Sequence, residues 1–317
     1  MTQNLIEIVD LKKYYKVSNG MLHAVDGVSL SIPRGKTLGV VGESGCGKST
    51  LGQTLIRLTE PTSGQILFDG TDIAALKKKE LAKYRRKMQM IFQDPYSSLN
   101  PRMTVAELVA EPLIVNKTYA SKAERNEKVI DTMNCVGLDL RLMNTYPHEL
   151  DGGRRQRIGI ARALVLDPTF IVCDEPVSAL DVSIQAQVLN LLMDLQDKLG
   201  LTYLFITHNL SVVKHISDEI AVMYLGQCVE QAPSSVLFKS PKHPYTQALL
   251  KAIPVASVAS IGKKRQLIKG EITSPIDPEK GCRFFARCPH ACEHCKGTDI
   301  PLKPQADGSK VACMLYD

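Results

Sequence analysis

Apolar runs separated by turn residues divide the first part of the chain into short strands. Residues 5–15 and 22–32 each have the pattern of a half-buried strand, and residues 17–20 between them are turn formers. Residues 36–41 form an apolar run that predicts a buried strand, and residues 65–70 predict a shorter strand that ends in Asp-Gly. We therefore expect a β-rich region near the N-terminus.

From about residue 100 to residue 162 the apolar positions recur at helical spacing. Thr104 and Ser121 each precede a glutamate by three residues, which fits a capping box at a helix N-terminus. Residues 155–166 continue the helical spacing. A basic stretch at residues 76–87 also predicts a helix, and a solvated helix face explains it better than a nucleic-acid surface does.

Continuous apolar runs in the second half of the chain predict fully buried strands. They lie at residues 169–173, 202–206 and 219–223, and a further compact run lies at residues 88–92. Residues 183–199 predict the clearest helix, which Gly200 ends. Its predicted apolar stripe is Ile184, Val188, Leu191, Leu195 and Leu199. Strands that alternate with helices predict an α/β fold with a mostly parallel sheet.

The composition is that of an ordinary globular protein. The 317 residues are 44% apolar and 23% charged, with a mild net charge of +6. No run approaches the ~18–20 apolar residues of a membrane span, and the N-terminus lacks an apolar signal core, so we expect no span and no export. Periodicity is lost around residues 256–262, which predicts domains at residues 1–262 and 263–317.

A glycine-rich loop, GESGCGKST, joins the predicted strand at residues 36–41 to helical residues 51–58. The G-x-x-x-x-G-K-S pattern in this context predicts a phosphate-binding loop, because successive backbone N–H groups and the helix N-terminus face one anion. Lys48 is expected to reach the β- and γ-phosphates, and Ser49 to bind Mg²⁺. This phosphate loop consists of Gly42, Glu43, Ser44, Gly45, Cys46, Gly47, Lys48, Ser49 and Thr50.

Polar side chains follow several of the predicted strands. Asp174 ends the run at residues 169–173, where a P-loop ATPase needs an acid to hold Mg²⁺ through water. Glu175 follows it and is a candidate general base for the attacking water. His208 and Gln93 also end strands, where ligands gather in open α/β sheets. We predict that these side chains complete the phosphate site.

The nine cysteines are unevenly distributed. Four are scattered singly, as in a reduced cytosolic protein, whereas five fall within the last 36 residues. Without a signal peptide, a metal or cluster site explains this group better than disulfides do. The five are Cys282, Cys288, Cys292, Cys295 and Cys313.

These motifs, in this order over residues 1 to about 260, resemble those of the ATP-binding subunits of ABC transporters. The phosphate loop is similar to their Walker A motif, and Phe170-Ile171-Val172-Cys173-Asp174-Glu175 to their Walker B motif with its catalytic glutamate. Gln93 is similar to the Q-loop glutamine, Ser178-Ala179-Leu180-Asp181 to the D-loop, and His208 to the switch histidine. Tyr15 is similar to the aromatic residue that stacks on adenine, and Tyr14 is the alternative.

The resemblance implies a P-loop NTPase fold of the ABC ATPase type. Its parts would be an N-terminal antiparallel β subdomain, a helical signature subdomain at about residues 100–162, and a small cysteine-rich C-terminal extension. It also implies ATP and Mg²⁺ as the bound nucleotide and metal.

One motif departs from the family pattern. The signature Leu-Ser-Gly-Gly-Gln is here Leu150-Asp151-Gly152-Gly153-Arg154. In the family this loop contacts the γ-phosphate held by the other subunit, and a carboxylate at Asp151 would repel that phosphate. Either Arg154 or Arg155 pairs with Asp151 or reaches the phosphate, which leaves a functional but retuned site, or the composite site is catalytically weak.

The chain further resembles the subunits that power import of oligopeptides, dipeptides and, in some members, nickel. The similar stretches are residues 243–250 and the cysteine-rich tail. In that subfamily the tail cysteines are associated with a [4Fe–4S] cluster, and the matching positions here are Cys282, Cys288, Cys295 and Cys313. Cys292 could replace Cys295. Four thiolates suit zinc equally well, with His290 and His294 as further candidate zinc ligands.

The resemblance also implies partners and a location. We expect a second ATPase subunit, with a different chain favoured, two transmembrane permease subunits and an extracytoplasmic substrate-binding protein. The chain would then lie at the cytoplasmic face of the cell membrane. The alternatives are a nickel or other small-solute importer, and a soluble ABC ATPase acting on nucleic acid or ribosomes. The single P-loop and the importer-like tail argue against the latter, so no direct nucleic-acid partner is expected.

Overall fold

The structure is a computed structural model, and it describes residues 3–94, 98–252 and 274–316. Backbone contacts divide the chain into two compact units. Unit 1 comprises Met1–Leu5, Ile32–Lys36 and Ala75–Phe205, and unit 2 comprises Ile6–Ser31, Thr37–Ala74 and Ile206–Asp317. The domain boundary predicted near residue 262 lies outside the described residues and stays a prediction.

The predicted alternation of strands and helices is present in the described ranges. The strands are β1 Asn4–Val17, β2 Gly20–Pro33, β3 Thr37–Val41, β4 Ser63–Phe68, β5 Thr71–Asp72, β6 Met88–Ile91, β7 Phe170–Asp174, β8 Thr202–Ile206, β9 Glu219–Tyr224, β10 Gln227–Pro233, β11 Lys303–Pro304 and β12 Lys310–Val311. The helices are α1 Lys48–Leu55, α2 Lys78–Lys87, α3 Val105–Val115, α4 Lys122–Cys135, α5 Gly152–Leu164, α6 Val182–Leu199, α7 Leu210–Ile216, α8 Ser234–Lys239 and α9 Pro244–Ala252.

Unit 2 contains two sheets. The first has the order β2-β1-β4-β5, and β1 pairs antiparallel with β4, with Ile6 opposite Phe68. This sheet confirms the antiparallel β region expected near the N-terminus. In the second sheet, β3 pairs parallel with β9, and β9 pairs antiparallel with β10. Strands β12 and β11 extend this sheet beyond β10. Residues of the C-terminal extension therefore belong to the same sheet as β3, the strand that leads into the phosphate loop.

Unit 1 contains the helices predicted between residues 100 and 162. Thr104 and Ser121 cap α3 and α4, and each side chain accepts a hydrogen bond from the N–H of the glutamate three residues later. Both predicted capping boxes are therefore confirmed. Strands β6 and β7 pair in parallel, with Met88 opposite Phe170, as their apolar runs predict.

The buried face of α6 differs from the predicted stripe. Leu199 is 52% exposed, because burial along the helix ends at Leu195 and the last turn lies in solvent before Gly200. The buried side chains of α6 are Val188, Leu189, Leu192 and Leu195, which share one face at a period of 3.6 residues. In the described part of the chain no helix has both the length and the apolar character needed to cross a membrane.

Two predicted boundaries shift for local reasons. The strand predicted at residues 65–70 ends at Phe68, because Asp69 and Gly70 have left-handed φ angles of 50° and 78° and turn the chain into β5. The helix predicted from residue 51 begins three residues earlier at Lys48, so the last residues of the phosphate loop form its first turn.

Candidate active site

The phosphate loop connects β3 to α1 and wraps around the side chain of Lys48. This side chain is 5% exposed, and its ammonium group donates hydrogen bonds to the carbonyls of Gly42 and Glu43, both at 2.9 Å. Gly47 precedes the helix with a φ of 101°, and a Cβ atom there would lie 1.9 Å from the carbonyl oxygen of Ala24. Only glycine fits this position.

The rim of the loop is open, whereas its middle is buried. Ser44 and Gly45 are exposed, and a Cβ atom at Gly45 would meet nothing within 4 Å. Cys46 points inward, with its sulfur 3.7 Å from the Lys48 ammonium, and burial raises the pKa of its thiol. The open rim leaves room for an anion at the N-terminus of α1.

The hairpin of β1 and β2 presents two tyrosines. Tyr14 is engaged within the protein, because its hydroxyl donates to the Asp26 carboxylate and its ring stacks on His23 with centroids 3.9 Å apart. Tyr15 is partly exposed, with the Lys13 ammonium 4.6 Å from its ring centroid. The two adjacent tyrosines therefore differ in what they can offer a ligand.

Three of the residues predicted to complete the phosphate site lie in unit 1. Asp174 is the last residue of β7 and is 5% exposed. Glu175 follows it in the left-handed region with a φ of 45°, and the amide Nε2 of Gln93 donates to its carboxylate at 3.0 Å. The structure thus brings the candidate base and the Q-loop glutamine together. Strained backbone of this kind is often found at functional sites.

Asp151 caps the N-terminus of α5. Its carboxylate accepts a hydrogen bond from the N–H of Arg154 at 2.8 Å and forms an exposed ion pair with the Arg154 guanidinium at 3.5 Å. Arg155 is buried and donates instead to the carbonyls of Pro147 and His148, at 2.6 and 3.3 Å. Of the two pairings expected from sequence, the structure confirms the one with Arg154.

The two remaining motif residues lie at the ends of elements. His208 is exposed directly after β8, and Asn209 caps the helix α7 that follows. Asp181 occupies the N-cap position of α6, where its carbonyl accepts from the N–H of Gln185 at 2.8 Å. His208 belongs to unit 2 and Asp181 to unit 1.

Comparison with known proteins identifies the family. A family model described as "ABC transporter" matches residues 25–178, and one described as "Oligopeptide/dipeptide transporter, C-terminal region" matches residues 229–295. The oligopeptide transport ATP-binding protein AppF of Bacillus subtilis is 51% identical over 323 residues, which cover 99% of this chain and 98% of AppF. This chain belongs to the oligopeptide/dipeptide family of ABC transporter ATP-binding proteins.

Further relatives agree. The dipeptide transport ATP-binding protein DppF of Haemophilus influenzae is 50% identical over 319 residues, or 99% of this chain and 97% of DppF. Among solved structures, the dimeric bacterial ABC transporter cassette MJ0796 is 31% identical, with a TM-score of 0.66 over 72% of this chain and 98% of that one. These similarities confirm the ABC ATPase fold class, and the chain is an ABC-type ATPase.

In this family member, residues of α9 and of the C-terminal extension contact the phosphate loop. The Arg287 guanidinium donates two hydrogen bonds to the Glu43 carboxylate, and the hydroxyl of Tyr245 accepts from the Glu43 N–H. Sequence reasoning missed both residues as parts of the site, because the arginine lies 244 positions from its partner and no local pattern marks such a contact. The signal that the sequence did contain was the similarity of residues 243–250 and of the cysteine-rich tail to the family.

All nine cysteines lie in the described ranges, and each is a free thiol. The five tail cysteines line a single cavity with apolar neighbours, which we call the cysteine cavity; the lining includes Cys282, Cys288, Cys292, Cys295, Cys313, Phe285, Ile300, Met314 and Leu315. Burial raises the pKa of the Cys282 thiol to about 11 and also raises those of Cys288, Cys295 and Cys313. Without a metal these four thiols stay protonated.

The cysteine cavity contains the sulfur donors that a thiolate-bound metal or cluster requires, but the thiols are not arranged around one point. Over the described ranges no three His, Cys, Asp or Glu side chains are arranged to hold one metal ion. The sulfurs of Cys292 and Cys295 are 3.5 Å apart. Sulfur donors that share an apolar cavity are the type that zinc and Fe–S clusters take.

A buried histidine at the same cavity carries an unsatisfied donor. His243 lines the cavity, and burial lowers its pKa to about 4, so the ring is neutral. Its Nδ1 accepts a hydrogen bond from the N–H of Tyr245 at 3.1 Å, which places the proton on Nε2. Within the described residues that Nε2–H has no partner. An acceptor atom of a group bound in the cavity would satisfy this N–H.

Proposed function

We propose that this chain hydrolyses Mg·ATP to power uptake of di- or oligopeptides through a separate membrane permease. The observation that carries the proposal is that about half of the residues, over nearly the full length of the chain, are identical to those of proteins named for oligopeptide and dipeptide transport. Relatives named as peptide import ATP-binding proteins support the direction of transport.

The phosphate loop binds the triphosphate, and Tyr15 stacks on the adenine. The side chain of Lys48 is already directed at the concave side of the loop, where it bonds to two carbonyls. An incoming phosphate replaces those carbonyls as its partners. Tyr15 suits the adenine better than Tyr14, whose hydroxyl and one ring face are already engaged within the protein.

Hydrolysis uses the carboxylates after β7. The hydroxyl of Ser49, the amide oxygen of Gln93 and the carboxylate of Asp174 are oxygen donors of the kind that Mg²⁺ takes. Glu175 acts as the general base, and its hydrogen bond from Gln93 orients the carboxylate. His208 contacts the γ-phosphate side of the nucleotide as the sensor of its hydrolysis.

Two such ATPase subunits enclose two nucleotides, each between one phosphate loop and the other subunit's signature and D-loop. This chain offers its partner Asp151, Gly152, Gly153, Arg154 and Asp181. Asp151 is paired with Arg154, so its charge is partly neutralised and the composite site that uses it stays functional but retuned. A partner with an ordinary serine signature makes the pair a heterodimer.

The turnover of the composite site that contains Asp151 can be measured after the other composite site is inactivated. Glu175→Gln in this chain blocks the site built on its own phosphate loop, so the remaining turnover of the heterodimer comes from the site that Asp151 faces. We expect turnover within about tenfold of the serine-type site, and Asp151→Ser to bring the two together. Loss of measurable turnover at the Asp151 site would mean that this site is catalytically weak.

The transport partners are two permease subunits and an extracytoplasmic substrate-binding protein, with this chain at the cytoplasmic face of the membrane. Co-purification with two membrane proteins tests this arrangement against a soluble ABC ATPase. Growth on dipeptides as the amino-acid source, with and without the gene, tests the cargo. Unchanged growth together with lost nickel uptake would assign the chain to a nickel importer instead.

The cysteine cavity would hold a [4Fe–4S] cluster through Cys282, Cys288, Cys295 and Cys313, with Cys292 as the alternative to Cys295. The support is the shared apolar cavity and the buried Nε2–H of His243, for which a cluster sulfur is a suitable acceptor. When bound, such a group cross-links an extension that has little apolar core of its own.

Protein purified without oxygen tests the cluster. We expect a brown protein with iron and sulfide bound, and loss of colour in Cys288→Ser but not in Cys135→Ser, an exposed cysteine outside the cavity. A colourless protein with stoichiometric zinc would replace the cluster with a zinc site.

A further inference from the structure

Arg287 of the C-terminal extension forms a partly buried ion pair with the phosphate loop. Its two terminal nitrogens lie 2.8 and 3.0 Å from the two carboxylate oxygens of Glu43. The side chains of Arg287 and Glu43 are 6% and 23% exposed. A bidentate pair of this kind fixes geometry as well as charge, because the planar guanidinium matches the carboxylate in one orientation.

Every polar group of Glu43 is held by a different part of unit 2. Its N–H donates to the Tyr245 hydroxyl at 2.9 Å, and its carbonyl accepts from the Lys48 ammonium at 2.9 Å. Its carboxylate is held by Arg287. Glu43 is the second residue of the phosphate loop, so its position decides the path of the residues that would contact phosphate.

Arg287 is itself held in place by a buried aromatic cluster. Phe284, three residues earlier, is 1% exposed and contacts the rings of Tyr224 and Tyr245, with centroid distances of 5.3 Å to each. The Arg287 guanidinium also donates to the Tyr224 hydroxyl at 3.3 Å. Arg287 therefore extends to Glu43 from a segment that is packed against buried aromatic rings, not from a solvated tail.

The same segment also contacts the hairpin that carries Tyr15. Arg283 donates to the carboxylate of Asp26, which accepts from the Tyr14 hydroxyl as well. Burial alone would raise the pKa of Asp26, but hydrogen bonds from Tyr14 and His23 and the charge of Arg283 lower it, so the group stays ionised. Residues 283–287 thus contact both the phosphate loop and the hairpin.

We propose that Arg287 is a positioning residue for the phosphate loop, and that it acts through Glu43 to set the affinity for ATP. Loss of Arg287 frees the loop at its second residue and leaves an unpaired carboxylate next to the triphosphate. Both effects weaken binding of the nucleotide, whereas the hydrolytic residues Asp174 and Glu175 are untouched. This inference rests on the proposed role of residues 42–50 as the ATP site.

The test is the Kd of the full chain for Mg·ATP in a double-mutant cycle. We expect Arg287→Gln to raise the Kd roughly tenfold in the wild-type background and less than about twofold in the Glu43→Gln background. In the heterodimer at saturating ATP the kcat should stay within twofold of wild type, so the effect falls on KM. Arg287→Lys, which keeps the charge and loses the fork, should fall between wild type and Arg287→Gln.

The matched control is Lys242→Gln. Lys242 pairs with Asp307 at 2.5 Å, so it also joins the extension to the rest of unit 2, but its side chain does not contact the phosphate loop. We expect its Kd to equal that of wild type. A tenfold rise in Lys242→Gln would mean that general loosening of the extension, not the contact with Glu43, weakens binding.

A second measurement does not depend on turnover. Because coupling is reciprocal, Mg·ATP should slow hydrogen exchange at the amides of Phe285, Arg287 and Cys288, and should fail to do so in Glu43→Gln. Equal Kd values for Arg287→Gln and wild type, or an equal rise in both backgrounds, would overturn the proposal. Lys48→Ala separates the two levels: if this variant keeps wild-type affinity, the assignment of the loop itself fails.

Discussion

At the scale of single residues, Glu175 combines strain with chemistry. Its φ of 45° costs a non-glycine residue roughly 1–3 kcal/mol, and such strain persists only where neighbours impose it. Its carbonyl accepts from the N–H and hydroxyl of Ser178, and its carboxylate accepts from Gln93. The backbone conformation directs this carboxylate, so the strain belongs to the positioning of the base.

This arrangement predicts that substitutions at residue 175 affect turnover and stability separately, because the carboxylate serves the reaction and the backbone conformation carries the strain. Glu175→Gln should lower turnover by about 10²–10⁴-fold without changing stability, because it removes only the proton acceptor. Glu175→Gly should lower turnover similarly and unfold within ~1 kcal/mol of wild type, since glycine adopts the left-handed region freely. Glu175→Val should lower the free energy of unfolding by a further ~1 kcal/mol, because a β-branched residue is more strained than glutamate at positive φ. Urea unfolding beside an ATPase assay checks this, and equal stability of the Gly and Val variants would contradict it.

His243 predicts a pH dependence of stability. Its pKa falls from 6.5 to about 4 on folding because the ring is buried, so the unfolded chain binds its proton first as pH falls. The stability contributed by the neutral ring is therefore complete above pH 6.5 and is lost between about pH 6.5 and 4, by up to ~3 kcal/mol. Urea unfolding of wild type and His243→Gln across this range should converge at low pH.

The exposed His215 on α7 provides the control for that series. His215→Gln should keep the shape of the wild-type curve, because this side chain is exposed and lies outside the cysteine cavity. A difference between wild type and His243→Gln that stays constant from pH 7 to pH 4 would contradict the prediction.

Local sequence patterns were sufficient to propose the site residues that follow apolar runs or occupy family motifs. The phosphate loop, Asp174 and Glu175 lie directly after apolar runs, and Asp151 occupies a motif position whose neighbours supply its partner. Arg287 and His243 could not be assigned in this way, because their roles depend on contacts with Glu43 and with the cysteine cavity, distant along the chain.

At the scale of elements, apolar periodicity was reliable where an element buries its own face. Strands β7 and β8 coincide with their apolar runs to within one residue. Strands β11 and β12 were not predicted, because two-residue strands have no periodicity and are held by pairing with β10. The stripe of α6 was wrong at Leu199, since spacing alone does not show where the covering surface ends.

The packing of Phe284, next to the short helical turn at Phe285–Arg287, predicts that the extension contributes to the core of unit 2. Phe284 precedes this turn and is buried against Tyr224 and Tyr245. Phe284→Ala should therefore lower the free energy of unfolding by about 3–5 kcal/mol, as in an ordinary core. Leu315→Ala, in the same extension but 54% exposed, should cost less than about 1 kcal/mol. Similar costs for the two substitutions would make the extension an appendage.

At the scale of the whole molecule, the two units are assembled from interleaved stretches of chain. Residues 274–316 belong to the same unit as residues 37–74, which carry the phosphate loop. The linear division at residue 262 was drawn from loss of periodicity, and sequence offers no signal for the long-range contacts that join the extension to the loop. Fold class followed from pattern and motif, whereas this assembly required coordinates.

Charge at the signature loop predicts the composition of the ATP-bound dimer. A homodimer would put Asp151 against both γ-phosphates, whereas a heterodimer with a serine-signature partner does so once. Glu175→Gln with Mg·ATP should therefore remain at 34.9 kDa by light scattering when alone, and should double its mass when Asp151→Ser is added. Lys48→Ala in that double variant should abolish the dimer. Doubling with Asp151 intact would show that the carboxylate is no barrier.

The Arg287–Glu43 pair also bears on how the chain folds during synthesis. Glu43 leaves the ribosome 244 residues before its partner, whereas most of unit 1 is made from the single stretch Ala75–Phe205. Domains tend to fold as units as they emerge. Unit 1 can thus form while the phosphate loop still waits for Phe284 and Arg287. A nascent or prematurely ended chain would therefore carry the full loop motif and yet bind nucleotide weakly.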